Sequence, residues 1–328
     1  AALGLIRSEE LLAARRLDGG EQLFTRAIDY GFSKSAAEAF RHWPRDSLLA
    51  DVVEVIRRWR PDIVISVWSG TTRDGHGQHQ ASGIIAREAV LAAGDSTWFP
   101  EQIEAGLRPH APAAFYWSGR FGQDGPDVAL VTGTLDPLLG RSYHQIAMAS
   151  RSRHRSQDMG VPQAPGPRRT AFDRVDPAAP PAIGDRSGFG GLADSEDFGD
   201  ASLFDGVDTL LSQRAERVAA AAAPARRAGL RRLAVVLRDY ERQAADIRAA
   251  FNPLDPGAIV PALAAAATSL ETVAGALEAQ DLPHGAAAAA LRDLHFHLAD
   301  EIAELGDALR RAANVELDVV ADDEIVVP

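Results

Sequence analysis

The sequence predicts an α/β protein: a Rossmann-like, mainly parallel sheet with helices on both faces, followed by an α-helical bundle. Three observations predict it. Short apolar runs alternate with helical stripes from Ala1 to about Gly160. One of those runs, Asp62-Ile63-Val64-Ile65-Ser66-Val67-Trp68, is apolar without alternation, as expected of a buried parallel strand. After Phe204 the pattern is purely helical.

Taken in order, Leu5, Leu11, Leu12 and Ala14 fall near helical spacing, and Gly19-Gly20 is a stop signal. Leu23 to Ile28 reads as a short strand. A helix starting near Ser47 carries Leu48, Leu49, Val52, Val53 and Ile56 on one face, and Pro61 ends it. The Asp62–Trp68 strand follows, then a loop with two histidines, then a helix over Ala81 to Ala93. Ala114 to Trp117 and Val128 to Val131 read as strands, and Ser142 to Ser156 as a helix. The stretch 161–204 is rich in Pro, Gly, Asp and Ser and reads as a linker. Residues 205–313 hold three or four long helices: Leu230, Leu237, Tyr240 and Ile247 make one stripe, Leu263, Leu270 and Leu277 a second, and Leu291, Leu298 and Leu305 a third. Residues 314–328 look like the start of a further β region. The chain opens at Ala1 with a helical pattern already running, so it reads as a segment of a longer protein.

Composition narrows the function classes. The 328 residues are 46% hydrophobic and 24% charged, with a formal net charge of −12, which argues against nucleic acid as a partner. There is no cysteine, so disulfides, thiolate metal sites and cysteine nucleophiles are excluded. No apolar run approaches the roughly 20 residues of a membrane span, and no signal peptide is visible.

The chemistry concentrates in Asp74-Gly75-His76-Gly77-Gln78-His79. Two imidazoles on a glycine-bearing loop at the C-terminal end of a strand occupy the place where open α/β sheets bind ligands. Imidazole is the commonest protein ligand for zinc, but a catalytic zinc needs about three protein ligands and an open position. Two histidines three apart cannot fill such a site alone. Asp74 could orient His76 or cap the loop. Asp29 could reach a substrate pocket or form a turn. His154 shares a helical face with Gln157 and could be a buried, hydrogen-bonded histidine. His295 and His297, two apart on a helix, point to different faces.

Three runs together carry a resemblance to a known family: Leu3-Gly4-Leu5-Ile6-Arg7-Ser8-Glu9-Glu10-Leu11, the Asp74–His79 run, and Arg151-Ser152-Arg153-His154-Arg155-Ser156-Gln157. In this order they resemble the Arg-x-x-Glu helix, the second metal motif and the late His-x-Ser-Gln helix of the PIG-L (LmbE-like) zinc-dependent N-acetyl-sugar deacetylases. The resemblance covers about Ala1 to Gly160. It implies that His79 is a Zn2+ ligand, that His76 stabilises the oxyanion or acts as general acid, that Arg7 binds the sugar or orders the site, and that His154 belongs to the pocket wall. It implies an N-acetylated sugar or glycoconjugate as substrate, and an extracytoplasmic location. Two departures stand out. Many members carry Asp where this chain has Gln78, which supplies no carboxylate. The family's first motif, Ala-His-Pro-Asp-Asp-Glu, is not in the sequence; Asp322-Asp323-Glu324 lacks the His-Pro and lies in the wrong half. That motif carries two zinc ligands and the base, so the expectation is a deacetylase parent and an inactive isolated segment. Two other readings compete: a metal-free carbohydrate-binding or scaffold module, and a different metal hydrolase using His76, His79 and His154.

Overall fold

The computed structural model describes residues 2–118, 127–157, 159–160, 165–179, 201–280 and 285–315. The chain divides into two compact units, Ala1–Val207 and Asp208–Pro328.

The first unit is mixed α/β. It opens with α1 (Ala2–Asp18), which runs without a breaker to the glycine pair predicted to stop it. An irregular stretch leads to α2 (Ala36–His42), whose Ser35 cap accepts the Glu38 N–H, and then to α3 (Arg45–Trp59). Strand β1 (Ile63–Ser66) is followed by α4 (Gly77–Gly94), the short α5 (Pro100–Glu104) and β2 (Ala114–Ser118). Then come β3 (Val128–Val131), a two-residue hairpin pair β4 (Leu135–Asp136) and β5 (Arg141–Ser142), α6 (Tyr143–Arg151) and β6 (Arg169–Arg174).

The main sheet runs β1-β2-β6-β3. Only β1 and β2 are parallel; β6 is antiparallel to both β2 and β3. This corrects the expectation of a mainly parallel sheet. The cause is β6, which lies inside the stretch read as a linker. Its sequence Arg-Thr-Ala-Phe-Asp-Arg has no apolar run and becomes a strand by pairing on both edges. Leu23 to Ile28, predicted as a strand, is irregular. It is fastened to α3 and to the end of α2 instead: the Arg26 backbone N–H and guanidinium donate to Asp51 of α3, and Nε1 of Trp43, which caps α2, donates to the Ile28 carbonyl at 2.8 Å.

The core of this unit lies where α3 and α4 pack on one sheet face. Leu48, Leu49, Val53 and Ile56 meet Ile85, Ala89 and Ala93, with Phe115 and Trp117 beneath them. On the opposite face Tyr116 and Phe172 pack with Val128 and Leu203. A buried arginine finishes the helix layer. Arg57 donates to the Ala92, Ala93, Asp95 and Trp98 carbonyls and to Gln102 Oε1, at 2.8–3.2 Å, and so satisfies the carbonyls that the end of α4 leaves open.

Two glycines set how close the histidine segment comes to its support. A Cβ on Gly83 would lie 2.1 Å from the Gly70 nitrogen, so α4 rests directly on the backbone after β1. A Cβ on Gly77 would lie 2.1 Å from the Ser35 carbonyl oxygen. Gly77→Ala therefore forces two backbones apart, and is expected to cost about 2–3 kcal/mol in urea unfolding and to displace the start of α4.

The second unit, described by itself, is the expected helical bundle. It consists of α7 (Leu211–Ala221), α8 (Pro224–Ala250), α9 (Val260–Glu278) and α10 (Gly285–Ala312). Each helix packs on two others, α7 on α8 and α10, and α9 on α8 and α10. Leu230, Leu237, Leu263, Leu270, Leu277, Leu294 and Leu298 fill its centre. Two buried polar pairs lie there, Arg214 with Asp293 at 2.7 Å and Tyr240 with Glu301 at 2.5 Å. The 256–278 stretch is long and apolar enough by composition to cross a membrane, but its large side chains Leu263, Leu270, Val273 and Leu277 are core residues of this bundle. The expected further β region, 314–328, lies outside the described residues apart from Asn314 and Val315.

Candidate functional site

The segment after β1 is built around one carboxylate. Asp74 is 5% exposed and accepts four hydrogen bonds: from the Ser69 N–H (3.0 Å) and hydroxyl (2.9 Å), the Gly70 N–H (2.7 Å) and the Thr71 N–H (3.2 Å). Its residues Ser69 to Asp74 turn the chain back onto α4, with a capping box between Thr71 and Asp74. Of the two sequence readings of Asp74, the structure takes the loop cap. Gly75, at φ 86°, makes the bend that no β-branched residue would tolerate.

The histidines do not sit on a free loop, as the sequence suggested. His76 is the N-cap residue of α4, and His79 lies in its first turn. The helix starts four residues earlier than predicted because Gly77 fits against α2, where its N–H donates to the Ser33 carbonyl at 2.8 Å. Gln80 fastens the same turn by donating to the Gly75 carbonyl (2.8 Å) and accepting the Ala36 N–H (3.2 Å).

The two imidazoles are neighbours, with ring centroids 3.6 Å apart and planes inclined by 35°. Trp68 stacks on the other side of His79 at 3.4 Å and 12°. Phe32 stands edge-on to His76 at 6.0 Å. Each ring is also held at Nδ1: His79 by the Asp74 carbonyl (3.0 Å) and His76 by Gln78 Oε1 (3.0 Å). Gln78 in turn bonds the Gly31 carbonyl and the Ser33 hydroxyl, and Tyr30 bonds Ser33.

The remaining candidates join this cluster through the Asp29–Ser33 segment. Arg7 Nη1 pairs with Asp29 Oδ2 at 2.8 Å, and Asp29 Oδ1 accepts the Gly31 N–H at 3.0 Å. Asp29 is thus both a turn former and a partner for Arg7. Glu10 does not pair with Arg7. It accepts the Ser156 N–H (2.6 Å) and hydroxyl (2.7 Å), which brings the Arg-x-x-Glu helix onto the turn that follows α6. These Ser156 bonds hold the Glu10 carboxyl below its usual range against the opposing desolvation, with weaker attraction from His154 and Arg7. His154 Nδ1 faces the Arg151 carbonyl at 3.2 Å, and the ring is half-buried.

A metal's requirements can be set against these residues. His76 and His79 offer the right donor type, side by side. Among the described residues no group of three or more His, Asp or Glu side chains is placed to hold a metal ion. Among the described residues the set falls short of the three ligands that catalytic zinc takes.

Sequence reasoning missed Tyr30, Ser33 and Trp68. Trp68 was legible as the residue after a strand facing the histidine run. Tyr30 and Ser33 carried no periodic signal, because their part depends on where the 29–33 segment lands. No protein-family model matches the chain, and no curated protein was found to match it.

Proposed function

We propose that Ala1 to Gly160 belongs to a zinc-dependent N-deacetylase acting on an N-acetylated amino sugar or glycoconjugate, with a Rossmann-like β1-α4-β2 unit at its centre. One observation carries the reading. The three sequence runs of the resemblance, far apart in the chain, meet through α1: Glu10 accepts from Ser156, and Arg7, one turn earlier on the same helix, leads through Asp29, Gly31 and Gln78 to His76. A coincidental scatter of motifs has no reason to be tied to the two ends of one helical turn beside a strand end.

In this reading His79 is the zinc ligand of the site and His76 stands beside the reacting group. Arg7 and Asp29 form the polar substrate wall, with His154 behind them. Bound zinc would polarise the amide carbonyl and lower the pKa of a water. The other ligands and the general base come from chain beyond this sequence, so the segment alone has no appreciable deacetylase activity. Within the segment, Asp74 fixes the height of His79, Trp68 covers one face of its ring, and Gln78 fixes the plane of His76.

The test is zinc stoichiometry and affinity, measured on this chain, on the chain extended by its upstream coding sequence, and on the extended chain with His79→Ala. The expected result is one tightly bound zinc in the extended chain alone. His79→Ala should weaken it by more than about 100-fold, beyond the range seen for changes outside the ligand shell. No tight zinc in the extended chain defeats the proposal and favours a carbohydrate-binding or scaffold module. Tight zinc in the short chain means the ligands are different residues from those named here.

A further inference from the structure

We infer that Gln78 is a positioning residue that fixes His76 in its Nδ1–H tautomer, so that this imidazole faces its ligand with the Nε2 lone pair, as an acceptor. The inference follows from which groups can only accept. The Gly31 carbonyl has no proton, so the Gln78 group bonded to it is the amide nitrogen. The amide oxygen is then the atom facing both Ser33 and His76. Ser33 takes the Tyr30 hydroxyl proton at 2.9 Å and spends its own on Gln78 Oε1 at 2.8 Å. Gln78 Oε1 can only accept, so the His76 nitrogen 3.0 Å from it carries the proton. Every bond in the chain from Tyr30 through Ser33 to Gln78 has one direction. Ser33 is fully buried, which protects that direction from exchange with water.

The same accounting applies to His79, whose Nδ1 faces the Asp74 carbonyl. Both stacked rings are thereby Nδ1–H forms, and both Nε2 atoms are of acceptor type. This deepens the deacetylase reading and rests on it for its consequence. With Gln in place of a carboxylate, His76 is oriented without a negative charge behind it. A neutral Nε2 can bind a metal ion or accept a sugar hydroxyl. It cannot donate to an oxyanion until it gains a proton. The resting role of His76 here is therefore ligand or acceptor, and not oxyanion donor.

The tautomer is measured by 15N NMR of the full chain labelled at histidine, at a pH where every imidazole is neutral, with the His76 signal identified by its loss in His76→Ala. His110 is the internal reference: its Nε2 faces the Pro61 carbonyl at 2.8 Å and carries the proton there, the opposite pattern. The expected result is His76 protonated at Nδ1 in the wild type. Gln78→Met, of similar length but with no strong acceptor, should move His76 towards the Nε2–H form with His110 unchanged. Gln78→Glu keeps an oxygen beside the ring and should keep the Nδ1–H form. Wild-type His76 protonated at Nε2, or no change in Gln78→Met with His110 intact, overturns the inference. Should Gln78→Met also disturb His110, the wild-type and Gln78→Glu spectra decide, since Nε2–H in either one overturns it. Zinc titration of the extended chain separates the two failures: no zinc, with His76 protonated at Nδ1, defeats the deacetylase reading and leaves the tautomer assignment standing.

Discussion

Asp74→Ala is expected to cost about 3–4 kcal/mol of stability in the first unit and to unseat His79. The carboxylate collects three backbone N–H groups and one hydroxyl within a buried turn. Alanine leaves the Ser69, Gly70 and Thr71 donors without their acceptor, where little water can replace it. The turn must open to hydrate them. The Asp74 carbonyl that holds His79 Nδ1 moves with it, and so does the Gly70 backbone on which Gly83 rests. Urea unfolding monitored by tryptophan fluorescence measures the first effect, since all five tryptophans lie in this unit. The His79 ring resonances report the second. Asp74→Asn separates charge from shape: it keeps one acceptor oxygen and should recover part of the loss. Full stability in Asp74→Ala would mean that the capping box is dispensable.

Asp173→Asn is expected to stabilise the first unit, and only above a defined pH. Asp173 lies on β6 opposite Trp117 of β2 and is 8% exposed. Its Oδ2 and the Trp117 Nε1 are both buried and find no hydrogen-bond partner among the described residues. Burial, with repulsion from Asp127 added, raises the carboxyl from 3.8 to about 6. The folded chain therefore keeps this proton up to about pH 6, whereas the unfolded chain releases it near 3.8. Between those values the folded state binds more protons, so stability falls as pH rises through the interval and stays reduced above it. The full interval corresponds to on the order of 3 kcal/mol. Asparagine is neutral throughout and nearly isosteric. The variant should match the wild type near pH 3.5 and exceed it by roughly 2–3 kcal/mol at pH 7.5. Urea midpoints at the two pH values test this, and an equal gain at both would assign the effect to packing instead of charge.

The elements that were legible in the sequence are those with a repeating reason. The α3 stripe from Leu48 to Ile56 and the leucine stripes of the bundle each bury one face at a fixed period and form where it places them; the apolar run of β1 also forms a strand, but at the sheet edge with Ile65 exposed instead of buried. Strand β6 has no such reason. Four of its six residues are polar, and it exists because two neighbours offer their edges. The reverse holds for Leu23 to Ile28. That segment has strand-forming residues and no strand beside it, so its contacts are side-chain ties to Asp51 and Trp43. Propensity creates a candidate strand, and pairing decides it.

At the candidate site the sequence by itself determined the inventory. It placed two histidines after an apolar strand, a carboxylate before them, an arginine and an aspartate earlier, and no cysteine anywhere. Tertiary structure decided what each one does. It gave the Asp74 carboxylate to the backbone instead of to His76, and turned Glu10 away from Arg7 towards Ser156. It seated Gln78 between Ser33 and His76, and set His154 against the Arg151 carbonyl. The physical reason is range. Helix and strand periods act within a few residues, and the sequence states them directly. A hydrogen bond's direction and an imidazole's tautomer depend on groups 45 positions away, such as Ser33 from Gln78, that meet only when the chain has folded.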